Sequence, residues 1–189
     1  MVLTFAVACS LLGADPPNEK ANEKATDQKL VDAGREVCGG DRMTLLEATS
    51  KAMKEIKGAV PIEIKAENPS GKKLFGTYLL KGDALHEVEI DVVTGDIVKS
   101  KEKSIDASKL SQYKSMATRC KLSFSRAVER ARERCKAGVP IRVRIEEKAS
   151  GKESIVQVGV YMLDGNRLVE VELNGEHGEV LAVKEKTYR

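Results

Sequence analysis

The chain has 189 residues, 41% hydrophobic and 32% charged, with a net charge of +3. That length suits one globular domain or two small ones with a polar surface. Aromatic residues are only 4% and Trp is absent, which argues against nucleic-acid binding, where stacking aromatics sit beside a basic groove. Much of the basic excess falls in residues 104–122, with four basic groups and one acidic, so charge argues only weakly for an acidic partner.

The N-terminal stretch MVLTFAVACSLLGA carries no charge before Asp15. It is too short to span a bilayer and fits the apolar region of a signal peptide over residues 1–14. Cys9, ending AVAC, is a lipidation candidate, although Ala stands where a larger aliphatic residue is usual. The expectation is an exported protein, whether periplasmic, secreted or held at the cell envelope, with no transmembrane span. Residues 15–43 are polar and echo NEKANEKA, which reads as a solvated spacer able to form at most a transient helix.

The body is an internal repeat. Residues 44–103 align with 123–186: Ala48 and Ala52 match Ala127 and Ala131, Val60-Pro61 matches Val139-Pro140, and Tyr78 matches Tyr161. The offset changes only between elements, where loops absorb length differences. Each copy opens with a helix. Thr44 and Glu47 have capping-box spacing, and Leu45, Thr49, Ala52 and Ile56 recur at helical spacing, as do Phe124, Val128, Ala131 and Cys135. Period-two strands follow: Val60, Ile62, Ile64 and Ala66, then Phe75, Thr77 and Leu79, then Val88, Ile90 and Val92, each with a counterpart in the second copy. A short fourth strand holds Ile97-Val98 and Val180-Leu181. Gly95 and Gly178 suit the left-handed position of a hairpin loop. The expected fold is α+β: two repeated modules, each one helix packed on a four-stranded antiparallel sheet. Residues 104–122 form the linker, either mobile or helical.

The helix TLLEATSKAMKEIKGAVPIEI, the strand pair FGTYLLKGDALHEVEID and the closing VEIDVVTGDIV resemble a PepSY domain. FSRAVERARERCKAGVPIRVRI and VGVYMLDGNRLVEVELNGEHGEVL are their counterparts. The second copy departs at its last turn, Asn174 to Gly178. The resemblance implies an extracytoplasmic, non-catalytic module that binds, and in some settings inhibits, peptidases. No peptidase is encoded in this chain, so the protein partner would be a separate secreted peptidase or another envelope protein. The alternative is a structural or small-ligand-sensing envelope protein.

The side chains with chemistry point the same way. His86 and His177 occupy non-equivalent positions, which suits neither a metal nor a base. No catalytic or phosphate-binding motif is present, so no catalytic residue, cofactor or metal is expected. Asp91, Thr94 and Asp96, with Asn174, Glu176 and Glu179, cluster at turns, where such groups ordinarily bond their own backbone, a loose calcium site being the other reading. Glu87, Glu89, Glu170 and Glu172 are expected on the solvated side of their strands. Gly76 and Gly159, mid-strand, leave room for a close approach. Cys135 is expected as a buried apolar residue. Cys38 and Cys120 precede the two helices in polar segments and form the candidate disulfide pair of an exported chain.

Overall fold

The structure, a computed structural model, describes residues 17–38, 43–150 and 153–188. The expected signal segment and Cys9 lie outside these. Twelve main elements follow one another: α1 (Pro17–Val37), α2 (Leu45–Glu55), β1 (Val60–Glu67), β2 (Leu74–Lys81), β3 (Ala84–Asp91), β4 (Ile97–Lys103), α3 (Ala107–Arg119), α4 (Phe124–Arg134), β5 (Val139–Ser150), β6 (Glu153–Asp164), β7 (Arg167–Asn174) and β8 (Val180–Thr187). The closing strands β4 and β8 run well past the dipeptides expected for them.

All eight strands form one antiparallel sheet, in the order β4-β3-β2-β1-β5-β6-β7-β8. This corrects the expectation of two separate four-stranded sheets. The first strand of each half would otherwise be an unpaired edge, with its N–H and C=O groups open. Here β1 and β5 pair with each other, Glu63 opposite Arg144, Ile64 opposite Val143 and Lys65 opposite Arg142. The matched positions Glu63 and Arg142 differ in charge sign. Arg142 Nε donates to Glu63 Oε1 at 2.7 Å across the seam, so the join is made by opposite charges.

The halves match in detail. A bulge falls between Pro61 and Glu63 and again between Pro140 and Arg142. Another falls between Glu89 and Ile90, and between Glu172 and Leu173. Bulges tolerate a proline that cannot donate to the ladder. Thr44 caps α2 with a complete capping box, and Ser123 caps α4.

One face of the sheet is apolar. Ile64, Phe75, Leu79, Val88 and Ile90, with Val143, Val158, Val160, Val171 and Leu173, are buried in one core with Leu45, Ala48 and Ala52 of α2 and Phe124, Ala127, Val128 and Ala131 of α4.

The segments read as spacer and linker both become helices on the opposite face, and they cross over. Residues 25–37 are not a solvated spacer: Leu30, Val31, Ala33 and Val37 of α1 are buried. Four apolar positions diluted among charges make a narrow stripe that only a waiting surface can use. That surface spans both halves: α1 packs along β1 of its own half and onto β5 and β6 of the other. A side chain at Gly34 would lie 2.8 Å from Ile141 Cγ2 and 3.2 Å from Leu163 Cδ2. Arg35 donates to Asn166 Oδ1 at 2.9 Å, and Asp27 accepts from Lys186 Nζ at 2.7 Å and from the Tyr188 hydroxyl at 3.0 Å. In return, α3 covers Ile62, Leu80 and Leu85 of the first half with Leu110, Tyr113 and Ala117. Lys114 pairs with Asp83 in the β2–β3 turn, the position matched by Asn166 in the β6–β7 turn. Each leading helix therefore straddles the join and packs on both halves.

Candidate functional site

Between α1 and α3 the second face of the sheet is mostly charged, with Tyr78 and Tyr161 among the charges, because alternate strand residues point to it. It divides into two matched clusters. In the first half, the Tyr78 hydroxyl lies 3.3 Å from Glu87 Oε1, and Lys99 bridges Glu87, at 3.0 Å, and Glu89. Lys103 lies over the Tyr78 ring, 4.7 Å from its centre. In the second half, Arg144 donates to the Tyr161 hydroxyl at 2.5 Å, and the Arg142 and Arg144 guanidinium groups lie 5.3 and 5.2 Å from the centre of the Tyr161 ring. Glu172 takes both Lys148 and Lys184. A cleft of about 320 Å³ opens here, lined by Asp27, Arg144, Lys148, Tyr161 and Glu172 among others.

The carboxylates differ from expectation. Glu87 and Glu172 are 9% and 5% exposed, so they lie under a layer of lysine rather than in water. Burial pushes both up, but the lysine hydrogen bonds and charges outweigh it and hold both below the ordinary carboxylate value. Glu146 goes the other way: burial raises it, against the Arg144 guanidinium 2.5 Å away. Burial also pushes the Tyr78 hydroxyl up to about 12. A lowered folded-state pKa adds stability above the unfolded value that is lost as pH falls through the folded one. Glu87 and Glu172 should therefore produce an acid limb beginning below about pH 4.5, while Glu146 opposes it. Urea midpoints across that range should show Glu172→Gln less stable than wild type at neutral pH, with the gap closing as the medium is acidified. Parallel curves for the two proteins would refute this.

Gly76 and Gly159 have a specific occupant. A Cβ at Gly76 would sit 2.5 Å from Glu67 Oε2, and one at Gly159 would sit 3.0 Å from Glu146 Oε1. The room these glycines leave for a close approach is filled by a carboxylate of the adjacent strand.

The turn candidates bond their own backbone. Asp91 Oδ1 accepts from Val93 N and Thr94 N at 2.8 and 2.9 Å, and Asn174 Oδ1 accepts from Glu176 N and His177 N at 2.8 and 3.1 Å. Gly95 and Gly178 both have φ of 75°, the left-handed conformation that favours glycine. His177 is exposed in its turn, and His86 lies half-buried on β3. Among the described residues, no three His, Cys, Asp or Glu side chains cluster as metal ligands would.

Cys38, Cys120 and Cys135 are free thiols here, so the candidate Cys38–Cys120 bridge is not formed in this structure. The two lie in different surroundings. Cys38 borders Met43, Leu45, Phe75 and Pro140, whereas Cys120 follows α3 in a groove with Lys54, Val60 and Phe124. Burial raises the Cys38 thiol to about 11, which leaves it protonated at neutral pH and chemically quiet. Cys135 is buried at the end of α4.

The groove beside Cys120 is largely apolar, about 570 Å³ in volume, walled by Leu46, Met53, Val60, Pro61, Leu122 and Phe124 among others. Sequence reasoning missed it because it lies between α2 and the segment entering α4, which only the folded arrangement brings together.

No known protein family matches the chain, and no curated protein does. Two solved structures are similar in outline. One is a candidate lipoprotein from Clostridium difficile 630, 13% identical, with a TM-score of 0.48, covering 84% of this chain and 99% of that one. The other is the YpeB C-terminal domain from Bacillus megaterium, 12% identical, with a TM-score of 0.31, covering 79% of this chain and 68% of that one. Among the described residues, no helix is long and apolar enough to cross a membrane.

Proposed function

We propose that this chain is a non-catalytic, extracytoplasmic binding protein, two PepSY-like units fused through β1 and β5, which engages a protein partner by strand addition at its sheet edges. The observation that carries this reading is the pair of open edges. The strands β4 and β8 each pair on one side only, and both are exposed along most of their length. Helices cover parts of both sheet faces, which leaves the edges as the places where backbone N–H and C=O groups can meet a partner. Apolar side chains stand exposed there, Val98 at 53%, Leu181 at 42% and Val183 at 44%. A secreted peptidase is the partner class implied by the PepSY resemblance. Support for export comes from the apolar N-terminal stretch.

The test is affinity capture from the envelope fraction of the source cell, paired with an assay of its secreted peptidase activity. A specific partner should be recovered, and amides of β4 or β8 should gain hydrogen-exchange protection when it binds. Recovery of nothing, with peptidase activity unchanged, would remove the reading. The apolar groove beside Cys120 favours a second reading, a small-ligand sensor. A thermal-shift screen of apolar ligands tests it, and the absence of any stabilising compound would count against it.

A further inference from the structure

We infer that β4 accepts an extended segment whose side chains alternate acidic and apolar; this rests on the strand-addition reading above and names its partner's chemistry. The pattern comes from the register. Lys99, Lys101 and Lys103 share one face of β4, opposite Glu89, Glu87 and Leu85 of β3. Val98 and Ser100, both exposed, point to the other face. The lysine row has a carboxylate row on its inner side and an open edge on its outer side.

The lysines are unequally committed. Lys99 holds both Glu87 and Glu89. Lys101 reaches Glu87 only at 3.7 Å, and its side chain is 57% exposed. Lys103 rests against the Tyr78 ring, with Nζ 3.3 Å from the hydroxyl. Lys101 and Lys103 can therefore turn outward without stripping the buried acids of their main partner. A strand laid beside β4 would set acidic side chains next to Lys101 and Lys103, and apolar ones next to Val98. Opposite charges in facing strand positions stabilise the pairing, and like charges oppose it. The chain already contains such a strand on the inner side of this edge: Glu87, Glu89 and Asp91 alternate with Val88 and Ile90 in β3.

A second copy of the chain fits poorly. The other open edge, β8, carries Lys184 and Lys186 on the same face, so joining edges would set lysine against lysine. The β8 edge is also less available to an acidic segment, since Lys186 holds Asp27 at 2.7 Å and Lys184 holds Glu172. The lysines thus reject self-assembly while remaining open to an acidic strand.

The test uses the full chain and synthetic peptides of about eight residues, a typical strand length, alternating either Glu with Val or Lys with Val. Calorimetry should show that the Glu–Val peptide binds, that added salt weakens it, and that the Lys–Val peptide does not bind. Replacing Lys101→Glu together with Lys103→Glu should weaken Glu–Val binding about tenfold or more and admit the Lys–Val peptide, with the circular dichroism spectrum unchanged. Equal binding of the two peptides, or binding of neither, would overturn the inference; in the latter case the lysines serve only as edge protection. Envelope-partner capture that survives the double substitution would also overturn it while leaving the strand-addition reading intact. Failure of the wild-type chain to capture any partner would instead strike that reading itself.

Discussion

Cutting the chain between β4 and α3 is expected to abolish a stable fold in both halves. Residues 17–103 alone would lose α3 and leave Ile62, Leu80 and Leu85, all under 9% exposed in the full chain, without the helix that covers them. Residues 104–188 alone would lose α1 from Ile141, Leu163 and Leu168, which are equally buried. Full burial of a large aliphatic side chain is worth about 1.5–3 kcal/mol. Three per half is of the order of the whole stability of a domain, about 5–15 kcal/mol, even after discount for the compact unfolded chain. Each half would also open the β1 or β5 edge and lose the Glu63–Arg142 pair. Two independent modules in tandem would behave otherwise: each half would melt cooperatively near the midpoint of the intact protein. Circular dichroism and urea melts of the two halves, separately and mixed, decide between these. The halves should be unstable apart and regain helix and cooperativity when mixed.

The sequence makes the repeating part of this architecture legible for a physical reason. Strand alternation at Val88, Ile90 and Val92 and the stripe at Leu45, Thr49 and Ala52 are local periodicities set by one buried face. They survive translation by an offset that is constant within each element, so the second copy reinforces the first. The matched turn glycines Gly95 and Gly178 are visible for the same reason. What the sequence conceals is how the copies use each other. Joining β1 to β5 depends on two edges meeting, and only the sign change from Glu63 to Arg142 hints at it. The stripes of α1 and α3 are narrow because each helix covers only part of the sheet, so the 15–43 and 104–122 segments look polar and uncommitted. On the charged face, the surroundings of the carboxylates are not legible in the sequence. Alternation puts Glu87 and Glu172 on the correct side of their strands, but that side is covered by neighbouring lysines instead of water. The apolar groove beside Cys120 has no local signature.

Substituting Gly34→Leu tests the role of α1 through the sign of its effect. In an exposed helix interior, replacing Gly with a good helix former stabilises by about 0.8–1 kcal/mol. A solvated spacer helix would therefore gain stability from this change, and so would a helix loosely resting on the sheet. In this fold Gly34 is where α1 comes closest to β5 and β6. The first carbon of any side chain would lie 2.8 and 3.1 Å from two atoms of Ile141 and 3.2 Å from Leu163, and Ile141 is fully buried. Neither neighbour is a flexible polar tip that can swing into water. Overpacking of this kind costs about 1–3 kcal/mol. If α1 lifts instead of straining, Leu30, Val31 and Val37 lose their cover and Asp27 leaves Lys186 and Tyr188. Either route lowers the urea midpoint, and the second also raises hydrogen exchange over residues 25–37. A rise in the midpoint would mean that α1 does not bridge the halves. The two leading helices would then no longer tie the halves together.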